Sequence, residues 1–333
     1  MAGGLRALTV TSIGCMQNLY PLLRSVAIFF LFVILIRILY ARGVFSERHL
    51  PVFGKLITEF ILPITIFSTL AVSTIDVQYL EAAAVFVSAT IVVCGIAYLI
   101  CRALSFSRPI TGTIIILSGF GSTSTLAYPL ISQAYANNAS ALASMFIISE
   151  FGSVIPFFTL GVLILVYFGS GVTGTDRDVV SILKSFVKMP IFFSLVFGVV
   201  AAQIPVVSHV FASDFFTSFF SYFNNGFEVM VAITVGLMLR AIKVRDILLY
   251  ASIPLGLSLI VTPLLVHAGA NFIQASPITE QILVIMAAVP SGAIAAVMSE
   301  RYGCDGSLAS TIVILSFLIG LITLPILSFL LLS

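Results

Sequence analysis

Long apolar runs separated by short polar breaks follow one another along almost the whole chain. The first five runs are Tyr20–Tyr40, His49–Val72, Tyr79–Leu104, Ile110–Tyr135 and Ala141–Phe168. Five more follow at Val180–Ile204, Phe211–Leu239, Asp246–His267, Thr279–Arg301 and Ser307–Leu332. A helix needs about 20 mostly apolar residues to cross the hydrocarbon core of a bilayer. The pattern therefore predicts an all-α polytopic membrane protein with ten transmembrane helices.

The most hydrophilic break, GSGVTGTDRD at 169–178, separates the two groups of five runs. We predict a first five-helix repeat at 1–168, a cytoplasmic linker at 169–178 and a second five-helix repeat at 179–333. Because five is an odd number, the second repeat begins on the opposite side of the membrane from the first. The halves are then inverted repeats, the architecture of many secondary transporters, although the similarity between their sequences is faint.

Basic residues decide the expected orientation, because cytoplasmic loops carry an excess of Lys and Arg. Of the 15 basic residues, 13 flank odd-numbered loops and none lies in an even-numbered loop. These residues are Arg37, Arg42, Arg48, Lys55, Arg102, Arg108, Arg177, Lys184, Lys188, Arg240, Lys243, Arg245 and Arg301. The odd-numbered loops are therefore expected in the cytoplasm and both termini outside it.

Composition narrows the possible functions. Hydrophobic residues make up 60% of the chain and charged residues 8%, against roughly 25% charged in a soluble domain. The net charge is +2 and no basic cluster is dense, so no nucleic-acid partner is expected. The cysteines at 15, 94, 101 and 304 lack metal-ligand spacing, which argues against a metal site or a disulfide framework.

Motifs of catalysis are also missing from the sequence. It contains no HExxH, no GxxxxGK[ST] and no GxSxG. We therefore expect neither an enzyme nor a bound cofactor, and any transport would be passive or driven by an ion gradient.

Two spans are interrupted at matching positions of the two halves. The fourth contains GFGSTSTLAYP, ending at Pro129, and the ninth contains VPSGA around Ser291. Gly, Ser and Thr are poor helix formers, and Pro removes a backbone donor. Such paired interruptions are the best sequence pointer to a transporter site, although a plain kink is the simpler alternative for either span alone. The candidate substrate-binding residues are Gly121, Ser122, Thr123, Pro129, Pro290, Ser291 and Gly292.

Three acidic residues fall inside predicted spans, where ionisable groups are functional candidates. Glu59 lies in the second span, Glu150 in the fifth and Glu228 in the seventh. Each could couple transport to protons or support the interrupted helices. For Glu59, a structural ion pair with Lys55 at i,i+4 spacing is the alternative.

Several segments resemble the auxin efflux carrier family of plant auxin exporters and bacterial carriers for small carboxylates. The similar segments are Ile38–Ala71, GFGSTSTLAYPLI at 119–131, Leu183–Val200 and Val289–Ile326. Departures occur near the presumed site, where Ser122 replaces a common Asn and Ala127 a common Gly. Auxin itself is therefore not implied.

The resemblance implies ten helices, a crossing of the fourth and ninth, and a small anionic substrate. It also implies a dimerising scaffold of spans 1, 2, 6 and 7 and a mobile group of spans 3–5 and 8–10. We therefore expect an elevator-type secondary transporter for a small organic carboxylate, homodimeric in the lipid bilayer of the plasma (inner) membrane. A sodium-coupled symporter of the bile-acid type, a non-transporting membrane sensor and an intramembrane hydrolase are the alternatives. Acidic and amide ligands clustered at the crossing would favour the symporter. An attached soluble signalling domain would favour the sensor, and a nucleophile paired with a base would favour the hydrolase.

Overall fold

The described residues of the computed structural model are 27–28, 30–72, 79–128, 130–131, 135, 138–169, 187–238 and 244–332. Regular structure in these ranges is helical apart from one isolated bridge, which confirms the predicted all-α class. The helices are α1 (Phe30–Ala41), α2 (Leu50–Ala71), α3 (Leu80–Ala103), α4 (Arg108–Gly119 and Thr123–Ala127), α5 (Ser140–Phe168), α6 (Pro190–Gln203), α7 (Asp214–Met238), α8 (Leu249–Phe272), α9 (Pro277–Ala287 and Ala293–Arg301) and α10 (Gly306–Leu332).

Five helices in the described ranges are long and apolar enough to cross a membrane unaided: α2, α3, α5, α8 and, over Gly306–Leu327, α10. A sixth crossing results if α6 is counted together with the helical turn Pro205–Phe211. The helix α1 and the first segment of α9 are apolar but shorter. The protein is thus a helical membrane protein, whereas ten crossings and an inverted repeat remain predictions.

The end of α6 departs from the predicted pattern. We expected a loop after Ile204, but a second helical segment, Pro205–Phe211, follows at an angle of 113° to α6. Proline disfavours the helical conformation in the residue before it, and Ile204 is extended, with φ −106° and ψ 100°. Pro205 then starts the new segment, where its missing N–H has no cost.

Wide π-helical turns interrupt several helices just before prolines. The turns Leu56–Ile61, Thr123–Ala127, Glu150–Val154 and Leu257–Val261 each end two residues before a proline in the sequence. Proline cannot donate a backbone hydrogen bond and crowds the preceding turn, and a widened turn relieves that conflict. Glu59, Thr123 and Glu150 all lie on such turns.

Packing contacts divide the helices into two groups. The first group contains α2, α6 and α7, with α1 joined to it because Ile36 contacts Gly236 of α7. A Cβ placed on Gly198 of α6 would lie 2.8 Å from the Cβ of Leu70, so α6 and α2 are in close contact. The second group contains α3, α4, α5, α8, α9 and α10. The two groups meet mainly where the second segment of α9 packs against α2 and α7.

Candidate functional site

The interrupted segments of α4 and α9 meet as predicted. Gly121 and Ser291 form an isolated antiparallel bridge. The backbone N–H of Ser122 donates to the carbonyl of Pro290 at 2.7 Å, and that of Gly292 donates to the carbonyl of Phe120 at 3.0 Å. Each broken segment thereby satisfies backbone groups of the other, which is what non-helical backbone requires inside a membrane protein. The two interrupted segments therefore meet, whereas their numbering as fourth and ninth spans remains a prediction.

Small residues permit this close backbone approach. A Cβ on Gly121 would lie 3.0 Å from Cγ2 of Val289 and 3.3 Å from its carbonyl oxygen. A Cβ on Gly292 would lie 3.3 Å from the carbonyl oxygen of Gly121. The hydroxyl of Ser291 donates to the carbonyl of Leu117 at 2.8 Å, which ties α9 to the end of the first segment of α4.

A cavity of about 280 Å³ lies beside the crossing. One wall comes from α2 and α7 of the first packing group, and the other from α4, α5 and α9 of the second. Most of the lining is apolar, with hydroxyl, amide and carboxyl groups in the minority. The lining residues are Leu62, Thr65, Ile66, Thr69, Phe120, Gly121, Thr123, Tyr128, Glu150, Ser153, Val154, Phe157, Phe158, Asn224, Phe227, Gly292, Ile294 and Ala295.

The polar lining is organised around α5. Glu150 is 3% exposed and accepts a hydrogen bond at 2.8 Å from the hydroxyl of Tyr128. Its neighbour Ser149 donates to the hydroxyl oxygen of Thr123 at 3.3 Å, at the start of the second segment of α4. Across the cavity on α2, the hydroxyl oxygen of Thr65 is buried without a hydrogen-bond partner among the described residues. A polar ligand in the cavity would supply that partner.

Helix polarity adds to this geometry. The nine-residue second segment of α9 begins at Ala293, directly after the cavity residue Gly292. The first N–H groups of a helix have no partner within that helix and carry a partial positive charge. The cavity therefore has an electropositive edge of backbone near Gly292.

The predicted site residues separate into two roles. Gly121, Thr123, Gly292 and Glu150 line the cavity, while Ser122, Pro290 and Ser291 build the crossing behind it. Pro129 and the side chain of Glu228 lie outside the described part of the chain. The sequence analysis did not identify the cavity residues Tyr128, Thr65 and Phe157. Tyr128 could have been identified, because its hydroxyl-bearing side chain directly precedes Pro129 in the interrupted segment.

Glu59 has a different place and a different partner. Its carboxylate accepts a hydrogen bond from the guanidinium of Arg301, at the end of α9, and in the described residues it forms no ion pair with Lys55. Packing of the second segment of α9 on α2 brings Arg301 within reach. Next to it, the hydroxyl of Tyr302 donates to the sulfur of Met189 at 3.3 Å, just before α6. Glu59 and Arg301 thus connect the two packing groups away from the cavity.

Comparison with known proteins finds similarity to membrane transporters. An uncharacterized transporter of Methanothermobacter thermautotrophicus (strain Delta H) is 23% identical over 292 residues, covering 87% of this chain and 91% of the relative. The membrane transport protein family matches residues 23–328. The chain therefore belongs to the membrane transport protein family, the auxin efflux carrier family that its sequence resembles.

Proposed function

We propose that this protein is a secondary transporter that carries a small organic carboxylate anion through the cavity beside the crossing. The observation that carries the proposal is the position of that cavity. It lies against the two interrupted segments, where Gly121, Thr123 and Gly292 form part of its wall. Irregular backbone at membrane depth is the usual place for a transporter site.

The lining favours an anion with a short apolar body. Phenylalanine and aliphatic side chains from α2, α5, α7 and α9 would contact that body. The hydroxyl of Thr123 and the N–H groups of Ala293 and Ile294, the first two residues of the second segment of α9, would face the charged end. Such a helix terminus stabilises a negative charge by about 0.3–1 kcal/mol where it is exposed and up to about 2 kcal/mol where it is partly buried. Several modest contributions of this kind are enough for reversible binding of a transported solute.

The two-walled cavity also supports an elevator mechanism. We propose that α1, α2, α6 and α7 form the dimerising scaffold and that the other six helices carry the substrate across. The substrate would then touch both groups, as the lining residues Thr65 and Asn224 on one side and Thr123 and Glu150 on the other would allow. We place the protein in the plasma membrane with both termini outside, following the basic residues.

Ligand binding to the purified protein tests the proposal. A thermal-shift screen would compare lactate, benzoate, malate and malonate, with and without sodium, at about pH 6 and about pH 8. A ligand at a hundred times its Kd stabilises the folded state by about 2.7 kcal/mol. We expect at least one carboxylate to raise the Tm without sodium. A shift that requires sodium would favour the symporter alternative.

Matched threonine variants locate the binding. Thr123→Val keeps the side-chain shape but removes a hydroxyl from the cavity, and it should weaken carboxylate binding roughly tenfold. Thr159→Val is the control, because the Thr159 hydroxyl donates to the carbonyl of Ile155 and does not line the cavity. Equal binding by both variants would place the site elsewhere.

A further inference from the structure

Glu150 is the one charged side chain among the cavity-lining residues that the structure describes. It is 3% exposed, and the hydrogen bond that reaches it comes from the neutral hydroxyl of Tyr128. A carboxylate at membrane depth is commonly paired with a cation or with several donors. Within the described residues, no Lys, Arg or His contributes to the cavity wall.

The acidic side chains described on the helices around α5, Glu81 and Glu280, face elsewhere. Glu81 of α3 lines a separate groove between α3 and α8, and Glu280 of α9 pairs with His267 at 2.9 Å. Tyr79, before α3, packs near Ile147, one turn from Glu150. On α6, which packs against α5 further along, residues 190–203 carry no charge.

The described parts of α2 and α7, across the cavity from α5, add no titratable side chain to its wall. Glu59 of α2 is paired with Arg301, away from the cavity. On α7, Asn224 lines the cavity, and the side chain of Glu228 is not in the described part. Tyr128 is thus the titratable group shown in contact with Glu150.

We propose that Glu150 is a proton-binding site and that the carrier moves its carboxylate together with a proton. This inference rests on the proposed function. In a cavity of about 280 Å³, an ionised Glu150 and a substrate carboxylate would repel each other as like charges. A proton on Glu150 removes the repulsion and converts one of its oxygens from an acceptor into a donor. That oxygen can then donate to the substrate, while Tyr128 still donates to the other one.

The charge balance follows directly. One monocarboxylate and one proton from the water enter the cavity, and the proton forms an O–H bond on the carboxylate of Glu150. The loaded site therefore has the same net charge as the empty site in which Glu150 is ionised. Transport of a monocarboxylate would then respond to a pH gradient and not to the membrane potential. Without the proton, each anion would carry one charge through a potential worth about 2.3 kcal/mol per 100 mV.

Proton uptake by the wild-type protein is the direct test. Benzoate is the probe, because its own carboxyl group stays ionised above about pH 6. Binding would be measured by titration calorimetry in two buffers of different ionisation enthalpy. We expect uptake of close to one proton per bound benzoate near pH 8 and an affinity that rises up to tenfold for each unit by which pH falls. Benzoate binding without proton uptake would overturn the proton site and leave the proposed function standing.

Variants then assign the proton to a residue. Glu150→Gln cannot gain a proton but keeps a donor, so it should bind benzoate at pH 8 with an affinity that no longer changes with pH. Glu81→Gln is the matched control and should keep the wild-type pH dependence. If folded Glu150→Gln still takes up a proton on binding, Glu150 is not the site. If wild-type protein binds none of lactate, benzoate, malate and malonate at either pH, the proton site and the proposed function both fail.

Discussion

The ion pair between Glu59 and Arg301 provides a test of relative movement between the two packing groups. Glu59 belongs to α2 and Arg301 ends α9, so the pair stabilises the arrangement seen in the structure. If α9 moves relative to α2 during transport, breaking the pair should favour the other arrangement. The side chains of Glu59 and Arg301 are 47% and 32% exposed. Exposed pairs of this kind contribute about 0.2–1 kcal/mol, so the equilibrium should shift by at most about fivefold.

Cross-linking reports the population of this arrangement. The tips of Tyr302 and Met189 are 3.3 Å apart, so Tyr302→Cys with Met189→Cys should react with a short bifunctional thiol reagent while the groups are in contact. The reaction would be run in a background in which the native cysteines are serine. Adding Glu59→Gln or Arg301→Gln should lower the cross-linking rate by up to about fivefold.

Charge reversal provides the control for this experiment. The double variant Glu59→Arg/Arg301→Glu restores an ion pair with opposite polarity, and cross-linking should return to within about twofold of the parent rate. Each single charge reversal lowers the cross-linking rate by some factor. The reasoning is refuted if the double variant is slowed by the product of those two factors. Such additivity would mean that the two residues are not coupled.

Three further predictions concern packing, reactivity and orientation. Gly119→Ala should destabilise the protein by about 1–3 kcal/mol in reversible unfolding, because the new Cβ would lie 2.4 Å from the sulfur of Cys94. The control Gly95→Ala has open space around its Cβ and should be neutral or stabilising. Equal losses of stability in the two variants would contradict this packing. Burial, with a smaller contribution from nearby Asp305, raises the pKa of the Cys304 thiol to about 12, so maleimide should leave Cys304 unmodified at about pH 8 until the protein unfolds. Thr173→Cys, in the predicted cytoplasmic linker, should be protected from impermeant thiol reagents in intact cells, and labelling from outside would reverse the predicted orientation.

The crossing was predictable because its cause is local. Glycine, serine, threonine and proline weaken a helix wherever it lies, and two weakened segments at matching positions indicated that they meet. The bridge between Gly121 and Ser291 agrees with that reasoning. Widened turns before prolines are equally local, and the prolines at 63, 156 and 263 are their signal in the sequence.

Contacts between distant helices were not predictable in the same way. Spacing rules favour Lys55 as the partner of Glu59, but the packing of α9 on α2 brings Arg301 there from 242 residues away. Likewise, the hydrogen bond from Tyr128 to Glu150 depends on how α4 and α5 face each other. A single sequence records that both residues are polar but carries no information on that rotation.

Substrate exchange across a membrane tests the central claim most directly. Wild-type protein in liposomes, preloaded with lactate or malate, should exchange the labelled acid faster than protein-free liposomes, with saturation at high concentration. Ile294→Trp fills the cavity and should reduce exchange to the protein-free background, whereas Leu160→Trp, at a position 42% exposed on α5, should keep it. Exchange no faster than in protein-free liposomes, or equal exchange by wild type and folded Ile294→Trp, would contradict a carboxylate carrier that uses this cavity.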